Sequence, residues 1–203
     1  EGFKPVAAFD ADPRQVGQSI GGLIVQPMAE LTEMIRRKDI RMAIVAVPAV
    51  ATESVMAQLA RNGTRAAIFF TSGFAEVGDE GLAMQVALAE SARRHGVALL
   101  GPNCLGVMNL RERMFATFSP IPLTGVPPAG DVGLVSQSGA FGAYAFALAR
   151  EAGLGLSHWV TTGNEAGLQV ADVIEWMAQD KDTRVILAYM EGCRDGARLR
   201  QAL

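Results

Sequence analysis

Short, continuously apolar runs alternate along the chain with longer stretches of helical hydrophobic spacing. The runs Val6–Phe9, Met42–Val47, Ala66–Thr71, Val97–Leu100, Val132–Val135, His158–Thr161 and Val185–Met190 predict strands. Between them, helices are predicted at about Ala29–Lys38, Val50–Asn62, Glu80–His95, Phe141–Ala152, Val170–Ala178 and Arg194–Leu203. Gly63, Gly96 and Gly153 follow three of these helices, where a left-handed residue ends a helix at little steric cost. The strands do not alternate apolar with polar, which is the pattern of a parallel sheet covered on both faces. Repeated βα units of this kind predict an α/β, doubly wound fold.

One segment breaks the rhythm. Ser119-Pro120-Ile121-Pro122, followed by Gly125-Val126-Pro127-Pro128-Ala129-Gly130, is too rich in proline for helix or central strand. It divides the chain into a first unit over 1–119, a linker over 120–130 and a second unit over 131–203. The chain opens without Met, and Gly2-Phe3-Lys4 runs straight into an apolar run, an abrupt start that suggests a missing first element.

Composition narrows the classes. Half of the 203 residues are hydrophobic and 19% are charged, as in an ordinary folded protein. A net charge of -3 gives no electrostatic reason to expect nucleic acid. The apolar stretch at Ala43–Ala51 contains Pro48 and is far shorter than the roughly 20 residues of a membrane helix, so no membrane association is expected. Two cysteines, Cys104 and Cys193, do not make a disulfide framework, and a reducing, cytoplasmic setting is the simpler expectation. No cluster of Cys, His and carboxylates has metal-ligand spacing, so no metal is predicted. His95 and His158 lie outside glycine-rich loops and read as structural.

Ligands of open α/β sheets sit beyond the carboxyl ends of the strands, so the residues there carry the candidate chemistry. Ser136-Gln137-Ser138-Gly139 joins a strand to a helix. Its small residues, hydroxyls and unpaired helix-start N–H groups suit a phosphate, although a serine cap on an ordinary turn has the same appearance. Val47-Pro48-Ala49, Ser72-Gly73 and Asn103-Cys104 follow three other strands and together outline a cleft for a nucleotide-like cofactor. A proline such as Pro48 also simply ends a strand. Asp10 ends the first strand, where a carboxylate can hold a ribose; Asp12 reads as the cap of a helical turn over Pro13–Val16. Cys104 has no cationic sequence neighbour and reads as packing. Glu191 ends the last strand and could orient an imidazole, or be a solvated loop residue.

These residues carry a resemblance. Ser72-Gly73-Phe74-Ala75-Glu76, Leu100-Gly101-Pro102-Asn103-Cys104-Leu105-Gly106-Val107, Val135-Ser136-Gln137-Ser138-Gly139-Ala140, Thr162-Gly163-Asn164-Glu165-Ala166 and Asp182-Thr183-Arg184-Val185-Ile186-Leu187 resemble, in order and spacing, the ADP-forming acyl-CoA synthetases and succinyl-CoA synthetase α subunits. The resemblance implies a Rossmann-like CoA-binding domain, without its first strand and glycine-rich loop, followed by part of a flavodoxin-like domain. Such enzymes convert acyl-CoA, phosphate and ADP to free acid, CoA and ATP through a phosphohistidine. It implies that Val47, Pro48, Ala49, Ser72, Gly73, Asn103 and Cys104 line the CoA site, that Ser136–Gly139 holds phosphate, and that Glu191 contacts the catalytic histidine. That histidine lies beyond the last strand of the chain in the family, and the ADP-binding ATP-grasp portion is a separate domain or subunit, so this chain alone is expected not to turn over. Association into homo- or hetero-oligomers is expected from its open sheet edges.

The first 70 residues carry a second likeness. Val6-Ala7-Ala8-Phe9-Asp10-Ala11-Asp12-Pro13, Val16-Gly17, Ile20-Gly21-Gly22 and Ala46-Val47-Pro48-Ala49 resemble the Rex redox-sensing repressors, which bind NADH. That likeness implies NADH as the alternative ligand and Asp10 as its ribose contact. The alternative function is a non-catalytic regulatory module that binds CoA, acyl-CoA or NADH, either fused to an acetyltransferase or a Rex-like redox sensor.

Overall fold

The computed structural model describes residues 5–203, so the Gly2-Phe3-Lys4 lead-in lies outside the described residues. The first half builds two three-stranded sheets. β1 (Ala8–Asp10), β2 (Ser19–Ile20) and β3 (Leu23–Pro27) form one in the order β1-β3-β2, with β1 and β3 parallel. After α1 (Leu31–Lys38) come β4 (Met42–Val45), α2 (Thr52–Arg61), β5 (Ala66–Phe69), α3 (Asp79–His95) and β6 (Ala98–Leu100). β4, β5 and β6 make the second sheet, all parallel, as their apolar runs predict.

The remaining elements are β7 (Gly106–Asn109), β8 (Met114–Thr117), β9 (Ala129–Ser136), α4 (Gly139–Glu151), β10 (Leu156–Thr161), α5 (Val170–Gln179), β11 (Val185–Tyr189) and α6 (Gly196–Ala202). They form a five-stranded sheet in the order β11-β9-β10-β7-β8. β9, β10 and β11 run parallel, and the β7–β8 hairpin joins antiparallel through Gly106 opposite Thr161.

Strand pairing adds two hairpins that the hydrophobic pattern does not predict. The hairpins β2–β3 and β7–β8 were not legible as strands: β3 is five residues closed by Pro27, and β7 and β8 flank the charged turn Arg111-Glu112-Arg113, where Arg113 takes a positive φ of 54°. Strand pairing ties 106–117 to the second half, so the β7–β8 hairpin of the expected first unit shares a sheet with the expected second unit. The expected linker over 120–130 is partly ordered structure. A 3-10 turn fills Ile121–Thr124, and Ala129-Gly130 are already strand. Gly130 is needed there, since a Cβ would stand 2.5 Å from the Gly155 backbone.

Smaller differences have local causes. Pro13–Val16 forms turns rather than helix, and Asp12 Oδ1 accepts from Arg14 N at 2.9 Å in a two-residue turn. α4 starts two residues before Phe141, with Ser138 Oγ accepting from Phe141 N at 3.3 Å as its cap. Coverage on both faces holds for β10, buried throughout. It fails for β4 and β11, which end their sheets and expose Met42, Ile44, Val185 and Leu187.

The core is continuous across the halves. Ile68 of β5, Leu100 of β6 and Cys104 pack in one apolar cluster with Val135, Val160, Val170 and Met177. Trp159 is fully buried beside Phe146, and its Nε1 donates to Gly142 O at 2.7 Å. The 162–168 segment pairs with the end of β6 and the loop after it: Ala166 N donates to Gly101 O at 2.9 Å and Leu168 N to Leu99 O at 2.8 Å. This packing brings the carboxyl ends of β5 and β6 against those of β9, β10 and β11.

Candidate functional site

A cavity of about 440 Å³ opens where those strand ends meet. Ser72 reaches it from beyond β5, and Asn103 and Cys104 from beyond β6. Gln137, Ser138 and Gly139 come from the turn between β9 and α4, and Glu191 from beyond β11. Seven of the sequence-predicted site residues thus share one cavity although their segments span 120 positions. Phe70 and Phe118, with ring centroids 5.8 Å apart, and Leu105 give it an apolar wall.

The helix start is the electrostatic feature of the cavity. First-turn N–H groups of a helix have no intrahelical acceptors and carry the positive dipole end, and Gly139 and Ala140 of α4 line the cavity. Gly139 is suited to the position because a Cβ would stand 3.0 Å from Leu105 Cγ. Among the described lining residues none is Lys or Arg. An anion there is met by backbone dipoles and hydroxyls rather than by a counter-charge.

The other predicted residues are placed differently. Ser136 is fully buried and spends its hydroxyl on Ser138 O at 2.7 Å, so it shapes the turn from behind. Gly73, at φ +97°, sits beside the cavity with its N–H donated to Glu76 Oε1 at 2.6 Å. Ala49 is its neighbour, with its Cβ 3.7 Å from where a Gly73 Cβ would stand. Val47 and Pro48 do not line the cavity, and Val47 O accepts from Thr71 Oγ1 at 2.7 Å. Asp10 lies in the first sheet, outside this cavity, and its Oδ1 accepts from Asp12 N at 2.8 Å.

Two side chains turn out more committed than their sequence positions suggest. The Gln137 amide is held on both sides. Its Oε1 accepts from Glu191 N at 2.6 Å and Gly192 N at 3.0 Å, while its Nε2 donates to Gly192 O and Glu165 Oε2, each at 2.8 Å. It therefore sets the position of the Glu191 backbone. Cys104 is buried, and burial pushes its thiol pKa up to about 12; it remains a neutral thiol facing Phe69 O at 3.5 Å.

Residues missed from sequence cluster on one turn. Gly163 and Asn164 line the cavity, and Glu165 stands behind Gln137, 5% exposed. Gly163 at φ +59° approaches the Pro102 and Asn103 carbonyls so closely that a Cβ would lie 2.4 Å from either. The Gly-Asn pair after a strand is the sequence feature that points to this turn. Glu76 is linked to it: burial opposes its charge, but the Asn164 amide and the N–H groups of Gly73 and Phe74 outweigh that and hold its carboxyl below the usual range.

His158 lies away from the cavity. Its Nε2 is 3.0 Å from Asn109 Nδ2, and its Nδ1 is 3.5 Å from Asp180 Oδ2. Burial lowers its pKa more than the attraction of Asp180 and Asp182 raises it, so the imidazole is neutral at neutral pH. Among the described residues, no group of three or more His, Cys, Asp or Glu could hold a metal ion, and no helix is long and apolar enough to cross a membrane.

With this geometry established, similarity to known proteins is specific. Residues 1–73 match the CoA binding domain, and residues 129–203 match the succinyl-CoA ligase like flavodoxin domain. The α subunit of acetate–CoA ligase (ADP-forming) I from Pyrococcus furiosus is 38% identical over 163 residues, covering 80% of this chain and 34% of that protein. Over most of its length the chain matches the CoA-binding α portion of ADP-forming acyl-CoA synthetases.

The solved structure of the dinucleotide forming acetyl-coenzyme A synthetase 1 of Ca. Korarchaeum cryptofilum, in complex with phosphate and ADP, superposes on this α-like portion with a TM-score of 0.80. The identity is 29%, over 91% of this chain and 38% of that one. The chain spans 22–34% of the length of the acetate–CoA ligases it matches. A shorter likeness, 39% identity over 80 residues, links 39% of this chain to 38% of the redox-sensing transcriptional repressor Rex of Chloroflexus aurantiacus. The architecture is that of a CoA-binding domain followed by a flavodoxin-like domain with parallel sheets, as the sequence resemblance implies.

Proposed function

We propose that this chain supplies the CoA site and the phosphate-binding helix start of an ADP-forming acyl-CoA synthetase, working with an ATP-grasp domain or subunit in the cytoplasm. The observation that carries this is the single cavity into which the turns after β5, β6, β9 and β11 converge. Its residues fit the ligand. Phe70, Phe118 and Leu105 match the methylene segments of a pantetheine arm, and the Ser72 hydroxyl and Asn103 amide can pair with its amides. The start of α4, with Ser138 and Gly139, fits a phosphoryl group.

CoA, when bound, supplies the thiol that carries the acyl group. The chain's own part is to hold the carrier along the Ser72 and Asn103 turns and present N–H groups to phosphate. It also fixes Glu191 at the cavity through Gln137. Cys104, neutral and buried, takes no nucleophilic role. Neither His95 nor His158 lines the cavity, so the phosphorylated histidine is supplied by another segment or chain and meets Glu191 there. We place the first unit over 5–105 and the second from Gly106, following strand pairing.

The Rex likeness favours a second reading, an NADH-binding sensor using Asp10. Titration calorimetry with CoA and with NADH separates the two: CoA is expected to bind more tightly, and tighter NADH binding overturns the proposal. Replacing Ser138 with Glu puts a carboxylate where phosphate is expected and removes the helix cap's geometry. It should abolish the phosphate-induced rise in melting temperature; an unchanged rise would refute the phosphate assignment.

A further inference from the structure

Adjacent residues of the 162–166 turn hold opposite walls of the cavity. Asn164 serves the first unit: its Nδ2 donates to a Glu76 carboxylate oxygen and to Gln85 Oε1 at 2.9 Å, and its Oδ1 accepts from Asn103 Nδ2 at 3.1 Å. Glu76 in turn accepts from Gly73 N and Phe74 N, fixing the turn after β5. Glu165 serves the second unit. Its Oε1 accepts from Thr162 Oγ1 at 3.0 Å and from Val170 N, at the start of α5, at 2.8 Å; its Oε2 accepts from Gln137 Nε2. Gln137 then holds the Glu191 and Gly192 amides. Two hydrogen-bonded arms therefore meet on this turn: one from the Gly73 amide through Glu76 to Asn164, the other from Glu165 through Gln137 to the Glu191 amide, joined by the backbone between Asn164 and Glu165.

The backbone makes this arrangement possible. Positive φ at Gly163 (59°) and Glu165 (54°) brackets Asn164, and Asn164 N is pinned to Pro102 O at 2.9 Å. Gln85 is 3% exposed and Glu165 5%, so water is a poor substitute for a missing partner at those two side chains, whereas Glu76 is exposed. Each carboxylate oxygen faces donors, and an amide in its place puts an NH2 group against one of them.

We infer that this turn couples the two walls, so that CoA against the Ser72–Gly73 and Asn103 turns and phosphate at the start of α4 raise each other's affinity. This rests on the proposed CoA and phosphate sites. A ligand on either wall orders the shared turn, and the second ligand then meets a wall already ordered. Linkage requires the two effects to be equal. Glu76, Asn164 and Glu165 are positioning residues, none of which needs to touch the reacting atoms.

The test titrates CoA calorimetrically into the chain with and without saturating inorganic phosphate. The unmodified chain should bind CoA at least about fivefold more tightly with phosphate present, the lower end of ordinary coupling. Glu165→Gln breaks the link to Gln137 and Glu76→Gln breaks it from the opposite end. Either should bring the ratio to within about twofold of unity, the coupling having been lost. Glu80→Gln, on the exposed side of α3, should keep the ratio. Hydrogen exchange gives a second readout, in which slow exchange along buried β10 shows that each variant keeps its fold. CoA alone should slow exchange at the Glu191 and Gly192 amides in the unmodified chain and leave them unchanged in Glu76→Gln. Retained coupling in both variants, or independent binding of the two ligands by the unmodified chain, overturns the inference while leaving the CoA site standing. Failure of the unmodified chain to bind CoA overturns the functional proposal itself and this inference with it.

Discussion

Replacing Gly163 with Ala tests how the two units are fastened at the cavity. The new Cβ would lie 2.4 Å from the carbonyl oxygens of both Pro102 and Asn103, backbone atoms with no rotamer to give way. Holding Ala at φ near 59° adds strain of about 1–2 kcal/mol. Relief requires the 162–166 turn to part from the 101–103 loop, which breaks the bonds from Asn164 N to Pro102 O and from Ala166 N to Gly101 O. Those bonds contribute about 1 kcal/mol each, and the stiffer unfolded chain offsets about 0.5–1 kcal/mol, so the expected loss totals about 3 kcal/mol. At this chain length that lowers the melting temperature by about 6–12 °C.

Gly153 is the internal control. It has nearly the same conformation, φ +66°, with nothing within 4 Å of its Cβ position. Gly153→Ala carries the strain without the collision, partly offset by a stiffer unfolded chain, and should cost about 0.5–1 kcal/mol. Scanning calorimetry of both variants measures the difference directly. Melting temperatures within about 2 °C of each other would refute the close backbone approach, since the strain is common to both variants and only the collision separates them.

Thiol labelling should separate the cysteines: exposed Cys193 reacts with iodoacetamide in the folded protein, whereas Cys104, its pKa pushed up to about 12 by burial, reacts only after unfolding. Acid should weaken the fold through His158. Its folded pKa is lowered, so no penalty exists above the unfolded value of about 6.5, and stability falls as pH drops below it and the unfolded chain takes up the proton. Melting curves of the unmodified chain should therefore fall more steeply from pH 7 to 5 than those of His158→Asn; parallel curves would contradict the assignment. Trp159→Phe removes a buried bond to Gly142 O and part of a packed ring, and should cost about 2–3 kcal/mol in denaturant unfolding.

The sequence by itself determined the parallel βα grammar, because apolar runs such as Val132–Val135 and Ala66–Phe69 have no face that tolerates water. It also pointed to turns that meet at one cavity. Gly, Ser and Asn are common at strand ends for reasons of backbone conformation that hold wherever the strand sits, so Ser72, Asn103, Ser138 and Gly139 stood out without coordinates, and Gln137 and Glu191 by their places just beyond strands. Strands whose pairing partner lies far along the chain were not. β7 becomes a strand because β10 offers it an antiparallel edge about fifty positions later, and no periodicity in Gly106–Asn109 encodes that partner.

Only the tertiary structure decided which polar side chains remain available. Gln137 and Ser136 look alike as phosphate ligands in sequence, yet one is consumed by Glu165 and the Glu191 loop and the other by Ser138 O. Glu165 was invisible as a site residue for the same reason. Its importance comes from three donors on Thr162, Val170 and Gln137, brought together by the packing of β9 and β10 and the start of α5. Local conformation is written in neighbouring residues, whereas the satisfaction of a buried polar group depends on what the fold delivers to it.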